Sequence, residues 1–373
     1  MKIAFVVDHF QAKGGAERLE MELAEALDAD IYTGYVLNDS FNLAHLRVKT
    51  VFRRMNSPFI RYFYQRKAFK AIAEDLSQYD VVIYFGNCLD SAPLLPGTVK
   101  KVLYCHTPPR HVYTDRDYYL KQYPWYIQPF YRFYTWMYRR NYEYLLTFMD
   151  RIVCNSQNIQ AKLKAFTGHS STVAYPPCNT KRFVWQGQED YYLSFSRLEE
   201  VKRVDLIVEA FTKMPDKKLI VVSGGPELKK IQKMASNSPN ISIKGWVSEE
   251  ELTELVGKCI ATIYVSMDED FGMGATESLA AGKPVIASDE GGFREIVQNG
   301  SGVLLKTTTP DTIAKAVQEL TPSKALTMKD NCTNQASKFS QENFLKSMKD
   351  IINTLGRPRL FMTISFPKVV VID

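Results

Sequence analysis

The chain has 373 residues, too many for one ordinary core and about right for two domains. Apolar residues make up 45% and charged residues 24%, an ordinary globular mixture that excludes a disordered chain. No apolar run approaches the roughly 20 residues that span a bilayer, and a net charge of +6 hints at an anionic partner without choosing among nucleotide, membrane and nucleic acid.

Met1 to Asp8 reads directly as a first strand, Lys2 to Val7, rather than as a secretory signal. Six cysteines, at 88, 105, 154, 178, 259 and 332, lack metal-type spacing and fit the core thiols of a reduced, cytosolic protein. Lys13-Gly14-Gly15-Ala16-Glu17 then opens a helix, Ala16 to Leu27, with Leu19, Leu23 and Leu27 on one face. The Gly-Gly turn is either a tight structural turn or an anion site at a helix start. Glu17 and Arg18 read as helix-surface residues. Between Arg47 and Lys70 there are eight basic residues and no acidic one, interleaved with Phe52, Phe59, Tyr62, Phe63, Tyr64 and Phe69. This stretch is either a solvated helix face over a core stripe or a helix lying on an anionic membrane through Arg53, Arg54 and Arg61. A nucleic-acid patch has no accompanying motif.

Val81 to Phe85 and Val99 to Tyr104 read as buried strands, and Cys105-His106-Thr107-Pro108-Pro109-Arg110 follows the second. Ligands of open α/β sheets bind beyond such strand ends, so His106 is a candidate site residue, with His111 and Arg110 weaker ones. Fifteen aromatic residues lie between Tyr113 and Phe148, among them Trp125 and Trp136. They form a packed helical excursion, an acceptor groove or a lipid-facing surface, because Tyr and Trp join an apolar body to a polar tip. Arg151 to Asn155 is a strand, Ser156 caps a helix to Ala165, and Thr172 to Tyr175, Pro176-Pro177 and the polar residues to Asp190 read as the hinge between the halves.

The second half opens with strand Leu193 to Ser196. Arg197 and Lys202, five residues apart beyond its end, can straddle one diphosphate. Lys218 to Ser223 ends in Gly224-Gly225, and Ile241 to Gly245 leads through Trp246-Val247-Ser248 into a helix from Glu249, with Ser248 and Glu251 as a capping box. Strand Ala261 to Val265, a turn with Glu269, Phe271 and Gly272, a helix from Gly274 to Ala281 and strand Pro284 to Ala287 make a βαβ unit. Free amides near Met273 and Gly274 suit a phosphate, and Glu269 before the turn and Glu277 in the first helical turn, where the dipole favours a negative charge, can take sugar hydroxyls or be merely solvated. Gly302 to Leu305 closes the sheet, followed by helices at Thr309 to Leu320, Ser323 to Lys338 and Gln341 to Leu355.

Phe271-Gly272, Ala281-Gly282-Lys283-Pro284-Val285-Ile286-Ala287 and Gly291-Gly292 resemble the signature of retaining family-4 glycosyltransferases, over about Lys2 to Leu355. Arg203-Val204-Asp205, Cys105-His106-Thr107-Pro108-Pro109 and Glu269-Asp270-Phe271-Gly272 resemble a subgroup of bacterial O-antigen mannosyltransferases. The resemblance implies an α/β GT-B fold of two Rossmann-like domains facing across a cleft. Residues 1–178 would bind the acceptor and 179–338 the nucleotide sugar. Residues 339–356 would cross back to the first domain, while the β-like 357–373 has no place in that core. It further implies a hexosyl transfer from GDP-mannose before a UDP-sugar to a saccharide acceptor; no metal ligand set is evident and no cofactor beyond the donor is expected, while the basic and aromatic stretches point to a polyprenyl-linked acceptor at the inner face of the cell membrane. His106, Arg197, Lys202 and Glu269 would be catalytic. Gly14, Gly15, Gly224, Val247, Phe271, Gly272, Met273, Gly274 and Glu277 would hold the donor, and Arg53, Arg54, Arg61 and Trp125 the acceptor or membrane. A scaffold that binds a nucleotide sugar without turnover is the alternative of another class.

Overall fold

The apolar runs form two parallel sheets in a computed structural model that describes residues 1–11, 14–37, 40–55 and 57–355. Lys13 and the tail 357–373 lie outside these residues. The first sheet holds β1 (Ile3–Val7), β2 (Asp30–Thr33), β3 (Val48–Thr50), β4 (Val81–Phe85), β5 (Lys100–Cys105), β6 (Arg151–Cys154) and β7 (Thr172–Val173), in the order β3-β2-β1-β4-β5-β6-β7. The second holds β8 (Tyr192–Ser194), β9 (Leu219–Val222), β10 (Ile241–Gly245), β11 (Thr262–Tyr264), β12 (Val285–Ser288) and β13 (Gly302–Leu305), in the order β10-β9-β8-β11-β12-β13. In each sheet the order reverses once, between β1 and β4 and between β8 and β11. A crevice opens beyond the carboxyl ends of the strands at such a point.

The helices of the first domain are α1 (Gly15–Ala26), α2 (Pro58–Ala71), α3 (Ala73–Leu76), α4 (Arg116–Lys121), α5 (Gln128–Leu146) and α6 (Gln157–Thr167). Those of the second are α7 (Val204–Thr212), α8 (Leu228–Ala235), α9 (Glu249–Lys258), α10 (Met273–Ala280), α11 (Phe293–Ile296), α12 (Pro310–Glu319), α13 (Pro322–Thr327) and α14 (Lys329–Ser337), before the terminal α15 (Gln341–Thr354). Strand β1 is buried along its whole length because helices cover both faces of the sheet. Ala4 and Val6 face a core with Phe69 of α2, Tyr142 of α5 and Leu163 of α6. Ile3, Phe5 and Val7 face one with Leu19 and Leu23 of α1. Helix α15 inserts Phe344, Met348, Ile351 and Ile352 into that second core. Four such side chains contribute roughly 6–12 kcal/mol of gross burial, before the entropy of ordering them. Helix α15 is thereby anchored to the first domain.

Three local features differ from the sequence expectation. Strands β2 and β3 carried no separate signal, since β2 has four residues and the edge strand β3 only three, mostly exposed. The helix expected over 323–338 breaks at Met328 into α13 and α14, with Met328 packed between two cores. Ser248 does cap α9 by accepting from the Glu251 amide at 3.1 Å, but the Glu251 carboxylate does not close the box. It takes Lys244 Nζ at 2.7 Å instead.

Candidate functional site

The loop between β11 and α10 is built by glycines. Gly272, the N-cap of α10, has φ +109°, and a Cβ there would run into the Phe293 ring. Gly291 and Gly292 let a second backbone lie directly on the loop, and the Gly292 amide donates to the Glu269 carbonyl at 2.8 Å. With its backbone pinned, Glu269 presents its carboxylate to Lys202 Nζ at 2.7 Å. Lys202 ends a short turn after β8, so the loops after β8 and β11 meet at the point where the strand order reverses. Arg197, beyond the same strand, is 63% exposed and pairs with Glu199 at 3.1 Å. Its guanidinium therefore stands at the rim rather than on the Glu269 loop. Phe271 turns inward and is buried between Tyr175 and Phe339, so its side chain serves packing.

No described side chain caps the amino end of α10, nor that of α1, whose N-cap is Gly14. The two ends confront each other across the cleft, since a Cβ on Gly15 would meet the Met273 thioether. Gly274 packs against Tyr264 and Phe195. Two free helix amino ends facing one space suit a polyanion, because both dipoles and both sets of unpaired N–H groups point at it. Glu277 sits differently from its expected place. Helix α10 starts at Met273, so Glu277 lies in the second turn, and the first turn holds no acidic residue. Burial outweighs any help from the dipole and pushes its carboxyl up to about 7, with Arg18 and Arg182 pulling the other way.

Arg18 lies on α1 but reaches across the cleft to Glu249 at 3.1 Å and Glu277 at 3.8 Å, not outward as a surface residue. The signal that could have found it is its position one turn beyond the Gly-Gly start of a helix. His106 follows β5, with Nε2 3.2 Å from Glu20 Oε1 of α1. Glu20 is buried, and burial pushes its carboxyl up to about 7 against the hydrogen bond and charge of His106. The first domain also grips the Glu269 loop from its side. Arg110 meets Asp270 at 2.8 Å, Lys162 meets Asp268 at 2.7 Å, and the Ser156 hydroxyl donates to the Asp270 carbonyl at 2.6 Å. Glu295 accepts from the Gln157 and Asn158 amides at 2.8 and 2.9 Å, a carboxylate on the amino end of α6.

Gly224 lies at the end of β9 under the Trp246 indole, with Val247 half-buried beside it beyond β10. Arg53 and Arg54 are exposed, Arg61 is half-buried, and Trp125 is 82% exposed. The exposed Phe130, Phe133 and Trp136 of α5 lie on the helix that packs against α2, whose Ile60, Phe63 and Tyr64 are likewise exposed. The structure thus brings Gly15, Lys202, Glu269, Met273, Gly274 and Glu277 to one cleft with Arg18. Arg53, Arg54 and Trp125 stand on the outer surface. Among the described residues no helix is long and apolar enough to cross a membrane, and no three His, Cys, Asp or Glu side chains converge as metal ligands.

Two family models together cover residues 13–339: Glycosyltransferase Family 4 over residues 13–182 and Glycosyl transferases group 1 over 179–339. An uncharacterized glycosyltransferase of Methanocaldococcus jannaschii is 28% identical over 220 residues, 58% of this chain. The match spans only 62% of that relative's length. The mouse alpha-1,3/1,6-mannosyltransferase ALG2 is 25% identical over 321 residues, 74% of each chain. The crystal structure of Anabaena HepE in complex with UDP and glucose superposes with a TM-score of 0.75 at 17% identity, covering 95% of this chain and 100% of that one, a likeness of fold. The chain belongs to the family-4 glycosyltransferases and has their two-domain GT-B architecture.

Proposed function

We propose that the protein transfers a hexosyl residue, mannose from GDP-mannose, to a hydroxyl of a saccharide acceptor with retention of configuration. The single observation that carries this reading is Lys202 on Glu269 at 2.7 Å, beside the uncapped amino end of α10 and facing that of α1. A donor diphosphate placed there would meet Lys202, Arg197 swinging in from the rim, and the amides near Met273, Gly274 and Gly15. These groups would stabilise the charge that builds on the leaving diphosphate. Lys202 would then exchange its carboxylate partner for phosphate, which frees Glu269 for the sugar hydroxyls. Glu277 would take the ribose, Gly224 and Val247 would frame the base, and His106, oriented by Glu20, would lie against the sugar. As the bond from C1 to phosphate oxygen breaks, the departing oxygen takes the proton of the acceptor hydroxyl on the same face. The acceptor oxygen forms the new bond to C1, which gives retention.

Mannose is favoured by the motif resemblance and by the mouse mannosyltransferase relative. A UDP-sugar is the second reading, favoured by the UDP and glucose in the Anabaena neighbour. The acceptor is proposed to be polyprenyl-linked and presented at the inner face of the cell membrane, with the protein peripheral to it. The support is the pairing of α2 and α5, which expose aromatic side chains, with Lys67 exposed on α2 and the exposed Arg53 and Arg54 shortly before it in the chain. The test is release of free nucleoside diphosphate from GDP-mannose and from a panel of UDP-sugars, followed by anomeric analysis of the product. Turnover of none of them would reduce the protein to a nucleotide-sugar-binding scaffold. Sedimentation with anionic vesicles tests the membrane step, and it should be lost on charge reversal at Arg53 and Arg54.

A further inference from the structure

The motif Arg203-Val204-Asp205 takes no part in the proposed donor contacts. Arg203 follows Lys202 directly and opens α7, whose Val204, Ile207, Val208 and Phe211 are buried in the core of the second domain. It therefore stands on a fixed element. Its backbone is left-handed, with φ +51° and ψ 35°, a conformation that strains any residue with a Cβ. Asp268, one residue before Glu269, is left-handed too, with φ +46°. Strained positions of this kind persist only where the surroundings hold them, and they gather at functional sites.

The two strained positions are joined through hydrogen bonds. Arg203 spreads its guanidinium over three acceptors. Nε donates to the Val265 carbonyl, while Nη2 donates to the Ser266 carbonyl at 3.0 Å and to Glu290 Oε1 at 2.9 Å. Glu290 in turn accepts the Asp268 amide on Oε2 at 3.2 Å. The Ser266 carbonyl also accepts from the Ser288 hydroxyl at 2.9 Å, and the Met267 amide donates to the Val201 carbonyl at 2.8 Å. Residues 265 and 266 directly follow β11, and Glu290 lies just beyond β12. One side chain thus ties together the loops after β8, β11 and β12. It is 18% exposed, so water competes weakly for these bonds. A planar fork serves three acceptors at once, which an ammonium on a flexible stem does not.

Arg203 is the chain neighbour of Lys202, and its acceptors lie shortly before Glu269, the two partners of the 2.7 Å bond in the cleft. We infer that Arg203 is a positioning residue, which sets the spacing between Lys202 and the Glu269 loop and so acts on the diphosphate through Lys202. The inference rests on the reading of Lys202 as a diphosphate ligand. A displacement of about 1 Å at such a group is enough to cost a hundredfold in rate.

The test is a double-mutant cycle on nucleotide affinity, by calorimetric titration of GDP and UDP into the full chain. Arg203→Gly removes the fork and leaves a residue for which φ +51° carries no strain, so the turn keeps its shape. It should weaken the nucleotide that binds wild type about tenfold. In the Lys202→Met background the same change should cost less than about twofold, because the group it positions is gone. Arg203→Lys keeps the charge without the fork; it should lose affinity in the same direction by a smaller factor, and it carries the same cycle if Arg203→Gly does not fold. Unchanged affinity in the folded Arg203 variants, fully additive losses, or a double variant that no longer binds at all would overturn the inference while the diphosphate seat stands. Equal affinity of Lys202→Met and wild type, or binding of neither nucleotide by wild type, overturns the diphosphate reading and the inference with it.

Discussion

Replacing Glu20 with Gln should change how stability depends on pH, and the size follows from the structure. Glu20 is 5% exposed, and its carboxyl is pushed from an ordinary 4.5 to about 7. Between those values the folded protein keeps a proton that the unfolded chain has released. The folded state therefore loses stability as pH rises through this window and loses no more above it. Two and a half pH units at 1.36 kcal/mol each amount to ~3 kcal/mol. Gln is neutral at every pH and still offers an oxygen to His106 Nε2, now 3.2 Å from Glu20 Oε1. Urea unfolding of both proteins from pH 4.5 to about pH 8 measures the effect. The stability of Glu20→Gln relative to wild type should climb by about 1.4 kcal/mol per pH unit and level off near pH 7. A difference that stays flat across the window would refute the placement of Glu20 as a buried carboxyl leaning on His106.

Gly272→Ala should cost about 1–3 kcal/mol in backbone strain and further stability from the clash with Phe293, read by calorimetric unfolding; an unchanged midpoint would mean the helix start is not glycine-dependent. Glu295→Gln should weaken the hold of the second domain on α6 by about 1–3 kcal/mol, seen as a larger radius of gyration in small-angle scattering of the donor-free protein. Arg18→Met should remove the cation nearest Glu277 and raise the carboxyl further, so that nucleotide-sugar affinity falls with the acid limb of its pH profile moved upward.

The sheets were legible because β1 and β4 are continuous apolar runs and β5 and β12 carry apolar runs at Val102 to Cys105 and Val285 to Ala287, the mark of strands covered on both faces. The Glu269 loop was legible because its glycines and carboxylates are close in sequence. Strands of three or four residues, such as β3, carry too little pattern to announce themselves. The first domain's share of the cleft was harder to read. Arg18, Glu20, Arg110 and Lys162 are ordinary charged residues until the fold sets them opposite Glu249, His106, Asp270 and Asp268.

Calorimetric titration of GDP and UDP into wild-type protein and Lys202→Met asks most directly whether Lys202 and the amino end of α10 form a diphosphate seat. Lys202 Nζ now rests on Glu269 at 2.7 Å, and a charged hydrogen bond of this kind to phosphate is worth ~1.5–3 kcal/mol. At least one nucleotide should bind wild type, and the substitution should weaken it by about a hundredfold, ~2.7 kcal/mol. Equal affinity in the two proteins, or binding of neither nucleotide, would contradict the assignment.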